Sequence, residues 1–306
     1  MTDISAIVGD IAAEITANAD RIEGEARVWV RNEPGPFGIA VLTADGELHR
    51  AGAADTRFPL QSIAKVFALE LALEAIGDEV FKRVGREPSG DPFNSMVDLE
   101  RNWGIPRNPF INAGALIVVD ILVDLLDDDE QASAVVDFVR DQTGLAEVPL
   151  NADVLATGRD ASDLNRAMMS FARHHNNLKS DIDAVMEAYV HQCAIELDCA
   201  GLAKAGHFLT RTGRTGDETR DAKVQRTRRL LSMMVTSGQY DGSGDFAYRV
   251  GLPAKSGVGG GILAVAPQVA SIATWSPNLD QQGNSILGVR ALEMLAHRAD
   301  WSIFSR

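Results

Sequence analysis

The chain of 306 residues is 45% hydrophobic, enough for one substantial core or two modest ones, and carries 43 acidic against 29 basic side chains, a net −14. A chain this acidic lacks the basic surface that displaces counterions from nucleic acid, and no run of 18 or more apolar residues is present to span a membrane. Met1-Thr-Asp-Ile-Ser5 has no basic segment leading into an apolar one, so no secretory signal is expected and the protein is placed in the cytoplasm.

In chain order, Ile4, Ile7, Val8, Ile11 and Ile15 recur at helical spacing and predict an amphipathic N-terminal helix over residues 1–30. Phe37-Gly-Ile-Ala-Val-Leu-Thr43 and Glu47-Leu-His-Arg-Ala-Gly52, split by Asp45-Gly46, predict a β-hairpin. Ile63, Val66, Phe67, Leu69, Leu71 and Leu73 predict a helix from about Ser62 to Ile76, stopped by Gly77. Further helices are predicted over 112–127, 131–143, 163–173, 182–197, 200–210 and 219–236. From Leu252 strands return: Gly259-Gly-Gly-Ile-Leu-Ala-Val-Ala266 and Val269-Ala-Ser-Ile-Ala-Thr-Trp275 predict a second hairpin, and a helix follows over about 283–298. Strands at both ends and helices between predict an α+β fold, an α/β sandwich. Its antiparallel sheet is drawn from about 24–61 and 245–306, and an inserted helical lobe spans about 62–244. The whole is expected to be a single unit, 1–306. Hairpins in place of βαβ alternation argue against a dinucleotide-binding fold, and the glycine triplet 259–261 is not a phosphate loop.

Cys193 and Cys199 are too few for a disulfide framework and lack a zinc spacing, so two structural thiols are expected. Only six residues are lysine. One stands in Ser62-Ile-Ala-Lys65, where the i, i+3 spacing lets an amine approach a hydroxyl that needs a base to become nucleophilic. Alone this motif reads equally well as a helix start with serine as its cap. A second lysine stands in Lys255-Ser256-Gly257, and S-x-x-K followed late in the chain by K-[ST]-G is the pairing of the serine acyl-enzymes.

Longer strings extend the match: Gln61–Phe67, Pro88–Met96, Gly104–Ala115, Gly238–Ala247, Val250–Gly261 and Ser276–Ser285. Over about residues 24–297 the chain resembles the serine-dependent glutaminases, a family similar in fold to the serine β-lactamases and penicillin-binding proteins. The resemblance implies that Ser62 attacks the side-chain amide of glutamine, giving a γ-glutamyl ester and ammonia, and that water then releases glutamate. It assigns proton transfer to Lys65 and Tyr240, and substrate contacts to Ser62, Asn112, Asn165, Tyr189 and Tyr240. The backbone at Val258 completes an oxyanion hole with Ser62, and Lys255 has an auxiliary electrostatic role. It implies a small-molecule substrate and a homo-oligomer, a dimer or tetramer; the absence of any dinucleotide or metal motif predicts no cofactor or metal, and charge and hydropathy predict no nucleic-acid or membrane partner.

Two positions depart from the family pattern. Seven residues before Asn165, where the family carries a glutamate that meets the substrate's amino-acid end, stands Gly158. Trp29 stands where relatives carry a tyrosine. Both changes lie at the substrate end and none at Ser62, Lys65, Tyr240 or Lys255. Three readings therefore remain: a glutaminase, an amidohydrolase acting on a glutamine whose α-amine is blocked or on another amide, and a non-catalytic member of the family.

Overall fold

Two apolar hairpins, one from each end of the chain, join in one antiparallel sheet. The computed structural model describes residues 3–26, 28–30, 33–90, 94–128, 130–160, 163–213 and 216–305, with backbone alone at 29–30 and 159–160. Helices and strands follow in the order α1 Ile4–Ala17, α2 Ala19–Glu25, β1 Val28–Val30, β2 Gly38–Thr43, β3 Leu48–Gly52, β4 Phe58–Pro59, α3 Lys65–Ile76, α4 Val97–Arg101, α5 Asn112–Leu125, α6 Ala134–Thr143 and α7 Ala152–Asp160. Then come α8 Asp163–His174, α9 Ile182–Ala194, β5 Glu196–Leu197, α10 Cys199–Ala205, α11 Glu218–Ser237, α12 Ser243–Arg249, β6 Ala254–Ser256, β7 Gly261–Ala266, β8 Ala270–Trp275, β9 Leu279–Asp280 and α13 Ile286–Ala299. They form two compact units, Met1–Phe58 with Leu197–Arg306, and Pro59–Glu196. Among the described residues no helix is long and apolar enough to cross a membrane.

The first unit holds a five-stranded sheet in the order β3-β2-β8-β7-β6. Its register runs Gly38↔Trp275 to Thr43↔Ala270 between β2 and β8, and Gly261↔Trp275 to Ala266↔Ala270 between β7 and β8. Ile39 and Val41 of β2, Ile262 of β7 and Ile272 of β8 pack with Val8, Ile11 and Ile15 of α1 and with Leu287, Leu292 and Leu295 of α13. The opposite face is covered by α10. Because both faces are covered, β7 and β8 are buried at every residue, which is why they read as continuous apolar runs rather than as alternation. Each fully buried Ile, Leu or Val contributes about 1.5–3 kcal/mol.

Three sequence expectations are corrected here. The N-terminal helix stops at Asn18, whose amide donates back to the Glu14 carbonyl (2.8 Å), and after α2 the chain turns extended to pair β1 with β9. Helix α9 ends at Ala194, because Asn151 N–H and Glu196 N–H bond Ala194 O and Pro149 O across a bridge between Leu150 and Ile195. The helix expected over 200–210 breaks at Gly206 into a 3₁₀ turn, His207–Thr210; a Cβ at Gly206 would meet Leu263 Cδ1 at 2.5 Å. The short helices α4, α7 and α12 carry no long apolar stripe and escape a periodicity reading.

In the second unit α5 is buried from Ala113 to Val123 and packs against α3, α8 and α9. Asp120, wholly buried on α5, is paired with Arg83 and accepts the N–H groups of Lys179 (3.2 Å) and Ser180 (2.7 Å). Arg83 also donates to Asn177 O (2.6 Å), and Asn177 returns bonds to the carbonyls of Arg83 and Gly104 (both 2.8 Å). One carboxylate thus ties α5 to the segments around 83 and 177–180. Asp120→Asn leaves the partly buried Arg83 charge without a counter-ion, and we expect a loss of about 3 kcal/mol in urea unfolding. An unchanged midpoint and slope would show that the pair carries no such weight.

Candidate active site

The second unit holds one half of the predicted site. Leu60 N–H bonds Ile195 O (2.7 Å), and the chain then turns sharply at Gln61, a non-glycine residue at φ +50. Such a backbone costs on the order of 1–3 kcal/mol and persists only where its surroundings hold it. Residues Gln61–Ala64 form a 3₁₀ turn that runs into α3, so Ser62 is not the cap of an α-helix as the motif alone allowed. Ser62 lies in that turn and Lys65 opens α3 three residues on, a spacing that sets both on one side of the turn–helix junction. Ser62 is 9% exposed and Lys65 only 1%.

Lys65 Nζ donates to Asn112 Oδ1 (2.8 Å) and to the Phe110 carbonyl (3.2 Å). Tyr189, on α9, donates its hydroxyl to the same Asn112 oxygen at 3.4 Å. Asn112 is therefore not the cap of α5: it is the first helical residue, after Ile111, and its Oδ1 is taken up by Lys65 and Tyr189. Two donors on Oδ1 fix the amide orientation and leave Nδ2 to donate elsewhere. No carboxylate meets Lys65 in this set. Burial pulls its amine from the ordinary 10.5 down to about 8, a change the neighbouring Cys193 only partly opposes. The Cys193 thiol is itself pushed up to about 11 by burial, so it stays protonated, as a structural thiol should.

Asn165 and Gly158 occupy the same unit. Asn165 is half-exposed on α8, outside the Lys65 cluster of the described residues. Gly158 lies in α7, where a Cβ would come within 2.9 and 3.0 Å of the Val190 methyl groups on α9. Glycine here thus lets α7 approach α9, next to Tyr189. The side chains of Trp29 and of Asp160, a carboxylate near the position of the missing glutamate, lie outside the described residues, as do residues 91–93 of the Pro88–Met96 string.

The first unit holds Tyr240, Lys255 and Val258. Tyr240, itself a predicted site residue, opens a 3₁₀ turn, Tyr240–Gly242, at φ +52. Lys255, fully buried on the edge strand β6, places Nζ 4.3 Å from the centroid of the Tyr240 ring and donates to Ser256 O (2.6 Å). The Tyr240 hydroxyl reaches the same carbonyl at 3.4 Å. Beyond β6 a tight turn consumes the N–H groups of Gly257, on Gly261 O, and Gly260, on Gly257 O (both 3.0 Å). The Val258 N–H has no acceptor among the described residues.

The structure gathers Ser62, Lys65, Asn112 and Tyr189 in one unit and Tyr240, Lys255 and Val258 in the other. Sequence reasoning missed the Phe110 carbonyl, Cys193 beside Lys65, and the strained Gln61 and Tyr240. Phe110 lay inside the Gly104–Ala115 string, but a backbone acceptor leaves no side-chain signature.

A family model described as Glutaminase matches residues 29–304. The chain is 47% identical to a glutaminase of Methylobacterium sp. (strain 4-46), covering 100% of both chains. Among solved structures, a Bacillus glutaminase crystallised in 4.3 M NaCl is 30% identical with a TM-score of 0.84, over 98% of this chain and 99% of that one. A Bacillus subtilis glutaminase, solved as a covalent complex with 5-oxo-L-norleucine, is 27% identical with a TM-score of 0.81, over 98% and 99%.

Two predictions follow from this packing. Lys65 has its pKa lowered on folding, so between about 8 and 10.5 the unfolded chain binds more protons and stability rises with pH. Below that window the full penalty, about 3 kcal/mol, is present. The difference in urea stability between the wild type and Lys65→Met should change across that window and be flat below pH 7; a flat difference throughout excludes the lowered pKa. Gly158→Glu should lose about 2 kcal/mol through overpacking on Val190, and less in a Val190→Ala background. Equal losses in both backgrounds would disconnect Gly158 from Val190.

Proposed function

The chain belongs to the glutaminase family, and from that we propose a cycle in which Ser62 is the nucleophile and Lys65 the group that takes its proton. As a glutaminase it is an amidohydrolase, converting L-glutamine and water to L-glutamate and ammonia. Its fold is the α+β fold of the bacterial glutaminases, related to that of the serine β-lactamases.

The observation that carries the reading is a lysine buried at 1% exposure, with a pKa near 8 and no carboxylate among its bonded partners, three residues after a serine. An amine poised near neutral pH accepts a hydroxyl proton where an ordinary lysine is already charged. Ser62 Oγ adds to the amide carbon of glutamine as its proton passes to Lys65. N–H groups at Ser62 and Val258 take the negative charge that develops on the oxygen. The C–N bond breaks as Tyr240 gives a proton to the departing nitrogen and recovers one from Lys65, and ammonia leaves. Water then adds to the γ-glutamyl ester, Lys65 again moves the proton, and glutamate departs from a restored Ser62. Asn112 Nδ2, Asn165 and Tyr189 hold the substrate. Lys255 holds the Tyr240 ring by its charge.

The relative caught with 5-oxo-L-norleucine attached supports a nucleophile at such a site. Two buried, unpaired cysteines support a reducing compartment, the cytoplasm. The family resemblance supports a homo-oligomer, measurable by light scattering. Gly158 supplies no counter-charge to an α-ammonium, which supports tolerance of a substituted α-amine as a second reading; a preference for free over N-acetylglutamine above about 100-fold in kcat/KM overturns it.

Ser62→Ala should lose at least about 10⁴-fold in kcat and should not gain the mass of 5-oxo-L-norleucine on exposure to 6-diazo-5-oxo-L-norleucine. For the wild type, kcat/KM should rise about tenfold per pH unit and level off near pH 8 as Lys65 loses its proton. Full turnover by Ser62→Ala, or a mass adduct that persists in it, removes Ser62 from the mechanism.

A further inference from the structure

Tyr240 is held at φ +52, a conformation that its own turn does not favour, so something outside the turn must hold it. Two groups in the first unit do so. Ser243 Oγ donates to the Tyr240 carbonyl (2.8 Å) and accepts the Gln239 N–H (3.0 Å), closing the turn from within. The second is Asn284, from the Gly283-Asn-Ser285 string, 4% exposed and remote in sequence.

Asn284 Oδ1 accepts the Ser256 hydroxyl at 2.6 Å, and its Nδ2 donates to the Gln239 carbonyl at 3.3 Å. The carbonyl can only accept, so Nδ2 must face it and Oδ1 must face Ser256. The amide orientation is therefore set by its partners. Its backbone is anchored as well, since Asn284 N–H bonds Asp280 Oδ1 (2.9 Å). The fit is tight: a Cβ on Gly242, in the Tyr240 turn, would lie 3.2 Å from Nδ2. One buried amide thus touches the residue before Tyr240 and also Ser256, whose carbonyl receives both the Tyr240 hydroxyl and Lys255 Nζ.

The geometry points to Asn284 as a positioning residue for Tyr240, one that locks the strained turn to strand β6 and so sets where the phenol stands relative to Lys255 and the Ser256 carbonyl. Asn284 does not touch the phenol; it acts through Gln239 and Ser256. Without its amide, the turn is free to relax toward negative φ, and the phenol is no longer held beside the Ser256 carbonyl. The effect on turnover rests on the proton-transfer role proposed for Tyr240, whereas the effect on the position of the phenol does not.

The chain has only three tyrosines, Tyr189, Tyr240 and Tyr248, so protein labelled with 3-fluorotyrosine gives three ¹⁹F resonances, and Tyr240→Phe assigns the one that matters. In labelled Asn284→Ala the Tyr240 resonance should shift or broaden while the other two stay in place. Asn284→Ala should lower kcat about 10- to 100-fold with KM within about threefold, and in a Tyr240→Phe background it should cost less than about twofold more. Should Asn284→Ala not fold, Asn284→Asp keeps the acceptor for Ser256, loses the donor to Gln239, and should move the same resonance. An unmoved Tyr240 resonance in the folded variant, or kcat losses that multiply in the double variant, overturns the positioning role. Full turnover by Tyr240→Phe overturns instead the proton-transfer role of Tyr240, and leaves the resonance shift to decide the position of the phenol.

Discussion

A lysine closed off from water, with two neutral oxygens as its bonded partners, is the constraint around which the second unit is arranged. Burial penalises the ammonium, and no carboxylate among its bonded partners repays it, so the amine sits near pH 8 rather than above 10. The Asn112 amide and the Phe110 carbonyl satisfy its donors without adding a charge that would hold the proton. A carboxylate in place of either would make a stronger pair and a poorer base. The stability forgone at Lys65 is offset by the packing of α5, buried along most of its length, and by the Asp120 cluster further along the same helix.

Backbone strain marks both halves of the proposed machinery. Gln61 immediately precedes the proposed nucleophile and Tyr240 is itself a proposed site residue, and both take up positive φ without being glycine. In each case neighbouring hydrogen bonds hold the turn: Leu60 N–H on Ile195 O before Gln61, and Ser243 and Asn284 around Tyr240. Strain of this kind is tolerated where a side chain must point in a direction that a relaxed turn does not supply. The two buried lysines follow different rules. Lys65 is held by acceptors alone, whereas Lys255 lies over an aromatic face and bonds a carbonyl that the same tyrosine shares.

Much of the fold was legible because the apolar pattern is strong where packing is strong. The hairpins β2–β3 and β7–β8 and the helices α3, α5, α6, α8, α11 and α13 follow from runs such as Phe37–Thr43 and Gly259–Trp275. The errors fall where long-range contacts override local pattern. The helical N-terminal stretch gives way at Val28 to a strand pairing with residues 279–280, and the end of α9 is set by a bridge to Leu150. The contact set of Lys65, Asn112 and Tyr189 could be named in advance, the lysine from its motif and the other two from the family resemblance. The Phe110 carbonyl and the amide of Asn284 could not, because their parts depend on distances between segments far apart in sequence.

Gly158 gains a meaning that spacing alone did not carry. Read by position it is a missing carboxylate; in the structure it is a packing requirement, since any Cβ there meets the Val190 methyls. Val190 adjoins Tyr189, whose hydroxyl shares the Asn112 oxygen with Lys65. The closeness of α7 to α9 at Gly158 therefore bears on the residue that presents Tyr189 to the lysine cluster. A glutamate restored at 158 would separate those helices at their contact, so it would disturb Tyr189 in the act of returning a charge. The glycine and the valine are one packing solution, and the substrate recognition proposed for this end of the chain's site has to be understood with both in place.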